Sequence, residues 1–203
     1  MNQSVCIASN HEFSISDFLS KNMNLEVSED HNLMSEIANG NQVAMKSLIN
    51  KWKNSLFRFF DRSLSNKADA EDLTQKVFIR LYKSASRYEP TAKFSTYLFT
   101  IARNLLIDEF KKRKKMQMFK LGDELEQICH EKKENELHDW KELLDYELRG
   151  MNEDHRTALL LRVQKDLSYA EISSIMKVSE KRVKTWIYRA RNSLKLTLDK
   201  WRN

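Results

Sequence analysis

Turn-forming residues are scarce in this chain. It contains three glycines and one proline in 203 residues, whereas average usage is about 7% glycine and 5% proline. A sheet protein with many hairpins needs more of both, so the composition predicts an all-α fold. The length suits one ordinary domain or two small ones. With 32% charged residues, two small helical domains joined by a polar connector are favoured over one large core.

Cysteines and long apolar runs are also few. Cys6 and Cys129 lie far apart and form no CxxC motif, so neither a disulfide framework nor a zinc site is predicted. No apolar run approaches the roughly 20 residues of a membrane helix. The start of the chain lacks the basic and apolar segments of a signal peptide. We therefore expect a soluble, cytoplasmic protein.

The positive charge is clustered along the chain. The net charge is +6 overall, and residues 179–203, with eight basic and two acidic side chains, account for the same value. Residues 111–115 are all basic, whereas residues 121–147 hold three basic and ten acidic side chains. This alternation predicts two cationic surfaces separated by an acidic connector.

A bundle of three or four helices is predicted in residues 34–115. Apolar residues recur there at spacings of three and four, as in amphipathic helices that face a core. Pro90 separates the second helix from the third, because proline disfavours a helical conformation in the residue before it. Residues 1–33 have no such period and form an N-terminal extension. The three apolar stripes are Ala44, Leu48, Trp52, Leu56, Phe59 and Phe60; Leu73, Val77, Leu81 and Ala85, widened by Phe78 and Tyr82; and Tyr97, Leu98, Ile101, Ala102, Leu105 and Leu106.

A second helical domain is predicted in residues 139–203, after an acidic connector over residues 116–138. Residues 167–179 read as a short helix, a tight turn and a capping serine, which together indicate a helix-turn-helix. In the basic helix that follows, Val183, Ile187, Ala190 and Leu194 share one narrow face that can pack on the preceding helices.

The opposite side of this last helix has the chemistry of a DNA reader. A helix about 10–12 Å across fits the major groove, where Lys and Arg reach guanine and phosphate oxygens and Thr contacts a thymine methyl. The alternatives are a merely solvated face and, for Tyr188, packing at the rim of the domain. The projecting residues are Lys181, Lys184, Thr185, Tyr188, Asn192 and Lys195, with Arg182 and Arg189 on a flank.

Three motifs in order carry a family resemblance. They are AEDLTQKVF at residues 70–78, FSTYLFTIARN at residues 94–104 and LSYAEI at residues 167–172. With Asp108, Val183-Lys184 and Arg189-Ala190-Arg191, they make the chain resemble the small two-domain bacterial sigma factors of the extracytoplasmic-function (ECF) type. The resemblance implies a region 2 domain at 34–115 and a region 4 domain at 139–203. It also implies three partners: core RNA polymerase, promoter DNA and an anti-sigma factor.

The resemblance assigns a role to the helix that contains the first motif. In the family this helix grips a coiled coil of the polymerase's largest subunit, and acidic and amide groups beside an exposed aromatic suit such a partner. The alternative is that Phe78 and Leu81 belong to the domain's own core. The positions implied for polymerase binding are Asp72, Gln75, Phe78 and Leu81.

The resemblance also implies two DNA surfaces. The loop at residues 89–95 and Asn104 would capture a base flipped from the melted minus-10 element, although Asn104 can alternatively cap or bridge helices. The minus-10 positions are Lys93, Phe94, Arg103, Asn104, Lys111, Lys112 and Arg113. The minus-35 positions, which meet duplex DNA, are Lys181, Arg182, Lys184, Thr185, Tyr188 and Arg189.

Departures from the family pattern are few. Gly150-Met151-Asn152 stands where Leu-Pro is usual, Lys177 replaces the glycine of the turn, and Tyr97 replaces a common Trp. In the family the connector threads the polymerase cleft, and Glu124 and Glu126 would lie there.

Two rival functions are weaker. A free-standing helix-turn-helix regulator has no use for an Asp72, Gln75 and Phe78 surface or for a pocket that captures a melted strand. An enzyme is not expected either, because the five histidines are scattered and there is no nucleophile motif or phosphate-binding glycine loop. A metal site at Cys129, His130 and His138 is the remaining alternative. We therefore expect no cofactor, no metal and no catalytic residue.

Overall fold

A computed structural model describes residues 29–123 and 140–202 of the chain, and the regular structure in these ranges is helical. The predicted all-α fold is confirmed. Helix α1 spans residues 29–38. The other helices are α2 (Gln42–Leu64), α3 (Lys67–Ser84), α4 (Phe94–Asp123), α5 (Trp140–Gly150), α6 (Glu153–Lys165), α7 (Tyr169–Met176) and α8 (Glu180–Arg202), with a 3-10 turn at Ala85–Arg87.

Helices α2 to α4 turn the three predicted apolar stripes toward one core, with the exception of Tyr82, and only Tyr97 and Ile101 of the inward residues are partly exposed. Asn41 begins α2 by accepting the backbone N–H of Val43 at 2.9 Å, and Asn66 begins α3 by accepting that of Asp69 at 3.1 Å. These caps satisfy N–H groups that a helix start leaves unpaired. Edge-to-face and tilted contacts between aromatic rings fill the centre of the bundle. The rings are those of Trp52, Phe59, Phe60, Phe94 and Phe99.

Helix α1 includes residues 29–33, which the sequence assigns to the N-terminal extension. Distant residues of the first bundle hold this part of the helix. The buried carboxylate of Asp30 accepts the indole N–H of Trp52 at 3.3 Å and lies 3.0 Å from the Lys51 ammonium. His31 stacks on Tyr88 and shares a 2.6 Å hydrogen bond with its hydroxyl. These contacts fix a segment whose own sequence shows no helical period.

Helices α5 to α8 form the second domain, and two polar residues organise it. Asn152 begins α6 by accepting the N–H of Asp154 at 3.0 Å, so it supplies a cap where the family usually has Leu-Pro. Arg156 is buried, and its guanidinium donates to the carbonyls of Leu148 and Arg149 at the end of α5. Burial lowers the pKa of Arg156, but these carbonyls give its positive charge partners.

The two domains share one continuous hydrophobic core. Helix α7 packs on α4, and both α5 and α6 pack on α2. The contact is partly polar, since Arg62 pairs with Asp145 at 3.4 Å and the Arg156 guanidinium lies 5.6 Å from the Phe110 ring centre. The second domain therefore lies directly against the first.

Helix α4 continues to Asp123, beyond Lys115, where the sequence places the end of the first domain. The remaining connector residues, including Glu124, Glu126, Cys129, His130 and His138, lie outside the described residues, so the hypotheses about them stay predictions. Within residues 29–123 and 140–202, no group of three or more His, Cys, Asp or Glu side chains is arranged to hold a metal ion. None of the helices in these ranges is long and apolar enough to cross a membrane.

Candidate nucleic-acid and polymerase interfaces

Helix α8 divides into a buried side and a basic, exposed side. Val183, Ile187 and Ala190 are buried as predicted, and Leu194 packs partly against the core. All six predicted minus-35 residues are exposed on this helix, and we call them the recognition face: Lys181, Arg182, Lys184, Thr185, Tyr188 and Arg189. Tyr188 is 65% exposed, so it is not a rim packing residue.

The turn before α8 is built around a left-handed lysine. Lys177 ends α7 with φ +54°, and its backbone N–H bonds to the carbonyl of Ser173. The Ser173 hydroxyl reaches across the turn and donates to the carbonyl of Val178 at 2.6 Å. This conformation costs a residue with a side chain about 1 kcal/mol. Lysine at the position usual for glycine therefore lowers the free energy of unfolding.

Aromatic rings hold two cations of the recognition face. The Lys184 ammonium lies 5.4 Å from the Tyr169 ring centre, and the Arg182 guanidinium lies 5.1 Å from that of Trp186. Trp186 is also buried in the second domain, although the four-residue stripe predicted from the sequence did not include it. The ring of His155 on α6 lies tilted against that of Trp186, with 6.1 Å between their centres. Burial, followed by the charge of Arg189, lowers the pKa of the His155 imidazole. The imidazole is therefore neutral at pH 7 and adds no charge here.

The exposed side of α3 differs from the predicted polymerase surface. Phe78 is 7% exposed and Leu81 is fully buried, so both belong to the core of the first domain. This corrects the expectation of an exposed aromatic at position 78. Tyr82, expected in the apolar stripe, is instead 58% exposed.

Two apolar residues take the place of Phe78 and Leu81 at the surface. Ile79 and Tyr82 lie beside Asp72 and Gln75, and all four are exposed. At about 100° per residue they fall within roughly 80° of one another, and we call them the α3 face. Lys76 pairs with Asp72 at 2.5 Å, but both side chains are exposed, so this pair contributes little to stability. The sequence could have predicted this exposed face, because the four residues lie on the side of the helix opposite the apolar Leu73 and Val77.

The loop before α4 does not present its phenylalanine to solvent. Phe94 is 1% exposed and packs among Trp52, Tyr88 and Tyr97. It forms no open wall for a flipped base in this state. Lys93 beside it lies 3.0 Å from the carboxylate of Glu171 on α7. The Tyr97 hydroxyl bonds to the Ser84 hydroxyl at 2.7 Å, a contact between helices at the position where the family commonly has Trp.

The basic end of α4 contains residues of two kinds. Lys111 and Lys112 are exposed and offer charge to a phosphate backbone. Arg113 is bound to its own domain, because its guanidinium pairs with Asp69 and with Glu109, the latter at 3.1 Å. The assignment of Arg113 to DNA stays a prediction, and a DNA phosphate would have to compete with these two carboxylates for its guanidinium.

Arg103 and Asn104 are half-buried on α4. Within the part of the chain that the structure describes, no hydrogen bond joins the Asn104 side chain to another helix. The alternative of a bridging role therefore finds no support in these residues.

Comparisons with known proteins identify the family of two regions of the chain. Residues 48–116 match the family described as Sigma-70 region 2, and residues 141–194 match Sigma-70, region 4. SigM, an ECF RNA polymerase sigma factor of Bacillus subtilis, is 33% identical over 146 residues, which cover 71% of this chain and 88% of SigM. SigE of Mycolicibacterium smegmatis, also an ECF sigma factor, is 32% identical over 165 residues, which cover 78% of this chain and 64% of SigE.

Solved structures share the fold at lower identity. The sigma factor RpoE from Bartonella quintana, in complex with the anti-sigma factor NepR, has a TM-score of 0.63 and 23% identity, over 76% of this chain and 96% of RpoE. CnrH, in complex with the cytosolic domain of CnrY, has a TM-score of 0.62 and 22% identity, over 84% of this chain and 97% of CnrH. With two matched regions in family order and a curated relative above 30% identity, the chain belongs to the ECF group of sigma-70 family RNA polymerase sigma factors, which act in transcription initiation.

Proposed function

We propose that this sigma factor binds core RNA polymerase through the α3 face and reads promoters with two separate surfaces. The recognition face of α8 meets the minus-35 element as duplex DNA, and the 89–95 loop with α4 binds the melted minus-10 strand. The division into a region 2 domain at 34–115 and a region 4 domain at 139–203 is part of this proposal. The observation that carries it is the two-sided α8, whose buried side anchors the helix and leaves six potential DNA contacts exposed together.

The recognition face suits the major groove. Arg and Lys donate to guanine O6 and N7 or to phosphates. Contacts with Tyr169 and Trp186 already restrict the side chains of Lys184 and Arg182. Fewer side-chain conformations are therefore lost when DNA binds. The Thr185 hydroxyl donates to the carbonyl of Lys181 at 2.9 Å, so it can offer a base its methyl group and the lone pairs of its oxygen.

The α3 face suits a helical partner with basic and apolar side chains. Ile79 and Tyr82 supply an apolar centre, and Asp72 and Gln75 supply a carboxylate and an amide beside it. Interface hot spots combine such a centre with polar groups at its edge. A basic helix carrying an apolar stripe, as the family resemblance implies for the polymerase, meets both requirements.

The minus-10 surface uses fewer residues than the sequence predicts. The proposed contacts to a separated strand are Lys93, Arg103, Asn104, Lys111, Lys112 and Arg113. Phosphate contacts come from the lysines, and the Asn104 carboxamide can both donate to and accept from the edge of a base. Phe94 becomes a stacking surface only after the contacts that cover it have moved. Catalysis belongs to the polymerase.

An anti-sigma protein is the proposed regulatory partner. RpoE of Bartonella quintana was solved with the anti-sigma factor NepR. A protein that covers the α3 face, the recognition face or both would block the proposed activity.

Lys184→Ala tests the minus-35 assignment. We expect promoter binding by the reconstituted holoenzyme to weaken by about 1–2 kcal/mol and the salt slope of binding to fall by about 1, because one phosphate or base contact is lost. Binding to core polymerase should not change. Lys46→Ala, which removes an exposed lysine on α2, is the matched control. Promoter affinity at the wild-type value in Lys184→Ala would contradict the assignment.

A further inference from the structure

The loop at residues 89–95, which we call the strand-capture loop, is held at its two ends and exposed in its middle. Residues 89–92 are exposed. Among the residues that the structure describes, one backbone hydrogen bond lies inside this stretch, from the N–H of Thr91 to the carbonyl of Glu89 at 2.9 Å. At the ends, Tyr88 is half-buried and Phe94 is buried, and their rings meet edge to face with centres 6.2 Å apart. The shape of the exposed stretch therefore depends on how these two aromatic residues are fixed.

Two successive residues of helix α1 are connected to the two ends of the loop. His31 shares a hydrogen bond of 2.6 Å with the Tyr88 hydroxyl through Nδ1, and its ring stacks on the tyrosine ring. The Asp30 carboxylate accepts the indole N–H of Trp52 at 3.3 Å, and the Trp52 ring centre lies 5.7 Å from that of Phe94. Helix α1 thus reaches one end of the exposed stretch directly and the other end through one ring.

Packing and hydrogen bonds hold both connections in one geometry. Asp30 is buried and also lies 3.0 Å from the Lys51 ammonium. On the other side, the Tyr97 ring centre lies 4.8 Å from that of Tyr88, and the Tyr97 hydroxyl bonds to that of Ser84. Burial, followed by Tyr97 and Asp30, raises the pKa of Tyr88 to about 12, so its hydroxyl keeps its proton at neutral pH. A partly buried polar network of this kind specifies one arrangement of its side chains.

Resting on the proposed function, we propose that helix α1 positions the strand-capture loop and that His31 is the positioning residue for the end at Tyr88. The match to Sigma-70 region 2 covers residues 48–116, so it assigns no role to this part of α1. A loop whose ends are fixed loses less conformational freedom when a strand binds. Removing the hydrogen bond between His31 and Tyr88 loosens one end, and the strand then binds more weakly.

The test measures the affinity of the reconstituted holoenzyme for fluorescein-labelled promoter DNA that is mismatched, and so already separated, over the minus-10 element. His31→Phe keeps an aromatic ring and removes the hydrogen bond, and we expect it to raise the Kd about three- to tenfold, the effect of one hydrogen bond. Tyr88→Phe should do the same. His31→Asn places an amide near the position of Nδ1 and should return the Kd to the wild-type value. Asn32→Phe, at an exposed neighbouring position, is the matched control and should not change it.

The double variant His31→Phe, Tyr88→Phe separates positioning from direct contact with DNA. If the Tyr88 hydroxyl acts through His31, the double variant should bind like either single variant, because one interaction is lost in all three. Additive losses in the double variant, unchanged or tighter binding in the single variants, or no rescue by His31→Asn would each overturn the positioning role.

Two reference measurements locate a failure. Affinity for core polymerase and for duplex DNA that carries only the minus-35 element should stay at the wild-type value in His31→Phe, and losses in both would overturn the assignment to the loop, since misfolding affects every surface. Asn104→Ala reports on the proposed strand surface itself. Full strand affinity in Asn104→Ala together with a loss in His31→Phe would fault the proposed function alone. A loss in Asn104→Ala with none in His31→Phe would overturn the positioning role alone.

Discussion

Replacing Phe78 and Tyr82 by alanine, one at a time, separates folding from polymerase binding. The two aromatics lie four residues apart on α3 and differ in exposure, 7% for Phe78 and 58% for Tyr82. Removing a buried phenylalanine costs about 3–5 kcal/mol of unfolding free energy, because its transfer energy is lost and a cavity is left behind. Removing an exposed tyrosine should change the unfolding free energy by less than about 0.5 kcal/mol.

The expected effect of Tyr82→Ala on polymerase binding follows from the exposed area of the tyrosine side chain. A tyrosine side chain buries about 150–250 Å² when fully covered, so roughly half of that remains available to a partner. At about 25 cal/mol per Å² this area sets an upper limit of roughly 2–3 kcal/mol. We expect Tyr82→Ala to lose about 1–2 kcal/mol, a five- to thirtyfold higher Kd for core polymerase.

The assay pairs urea unfolding, followed by circular dichroism, with fluorescence anisotropy titration of labelled sigma factor by core polymerase at one fixed salt concentration. Tyr146→Ala, which removes an exposed tyrosine on α5, is the matched control and should affect neither measurement. The reasoning is refuted if Tyr82→Ala binds core polymerase like the wild type while Phe78→Ala unfolds normally and binds poorly.

Two further predictions concern the second domain. Lys177→Gly should raise the free energy of unfolding by about 1 kcal/mol and Tm by about 2–4 °C, because glycine adopts the left-handed turn without the side-chain penalty. The control Ser174→Gly, in the interior of α7, should lower the free energy of unfolding by about 0.5–1 kcal/mol. A lower Tm for Lys177→Gly would contradict the turn geometry. His155 has a folded-state pKa below its unfolded value of 6.5, through burial and then Arg189, so its contribution to stability is complete above pH 6.5 and is lost as pH falls through the folded-state pKa. His155→Gln should flatten this part of a series of urea midpoints between pH 7.5 and 5, and an imidazole that titrates above 6.5 by NMR would refute the assignment.

Periodicity in the sequence predicts the inward faces of the helices well. The stripes of α2 and α8 are buried where the spacing places them, because a helix in a small domain must cover one face. The same angular reasoning places Tyr82 opposite Leu73 and Val77. The expectation that Tyr82 widens the stripe rested on its aromatic side chain. The structure shows that its position on the helix decides its exposure.

Two features that periodicity did not predict, helix α1 and the pairing of Arg113, depend on contacts between residues distant in the sequence. Helix α1 depends on bonds from Asp30 to Trp52 and from His31 to Tyr88, partners 22 and 57 positions away. The pairing of Arg113 with Asp69 spans 44 positions. Local spacing carries no information about such partners, so a basic pentad looks uniform in the sequence although one of its members is used internally.

Run-off transcription tests the central claim most directly. The purified chain is mixed with bacterial core polymerase and a library of genomic fragments, and the 5′ ends of the transcripts are mapped. The account predicts that transcripts start downstream of a shared two-part promoter motif only when the chain is present, and that Lys184→Ala reduces them without reducing association with core polymerase. A chain that does not associate with core polymerase, or that associates and directs no initiation from any fragment, would contradict it.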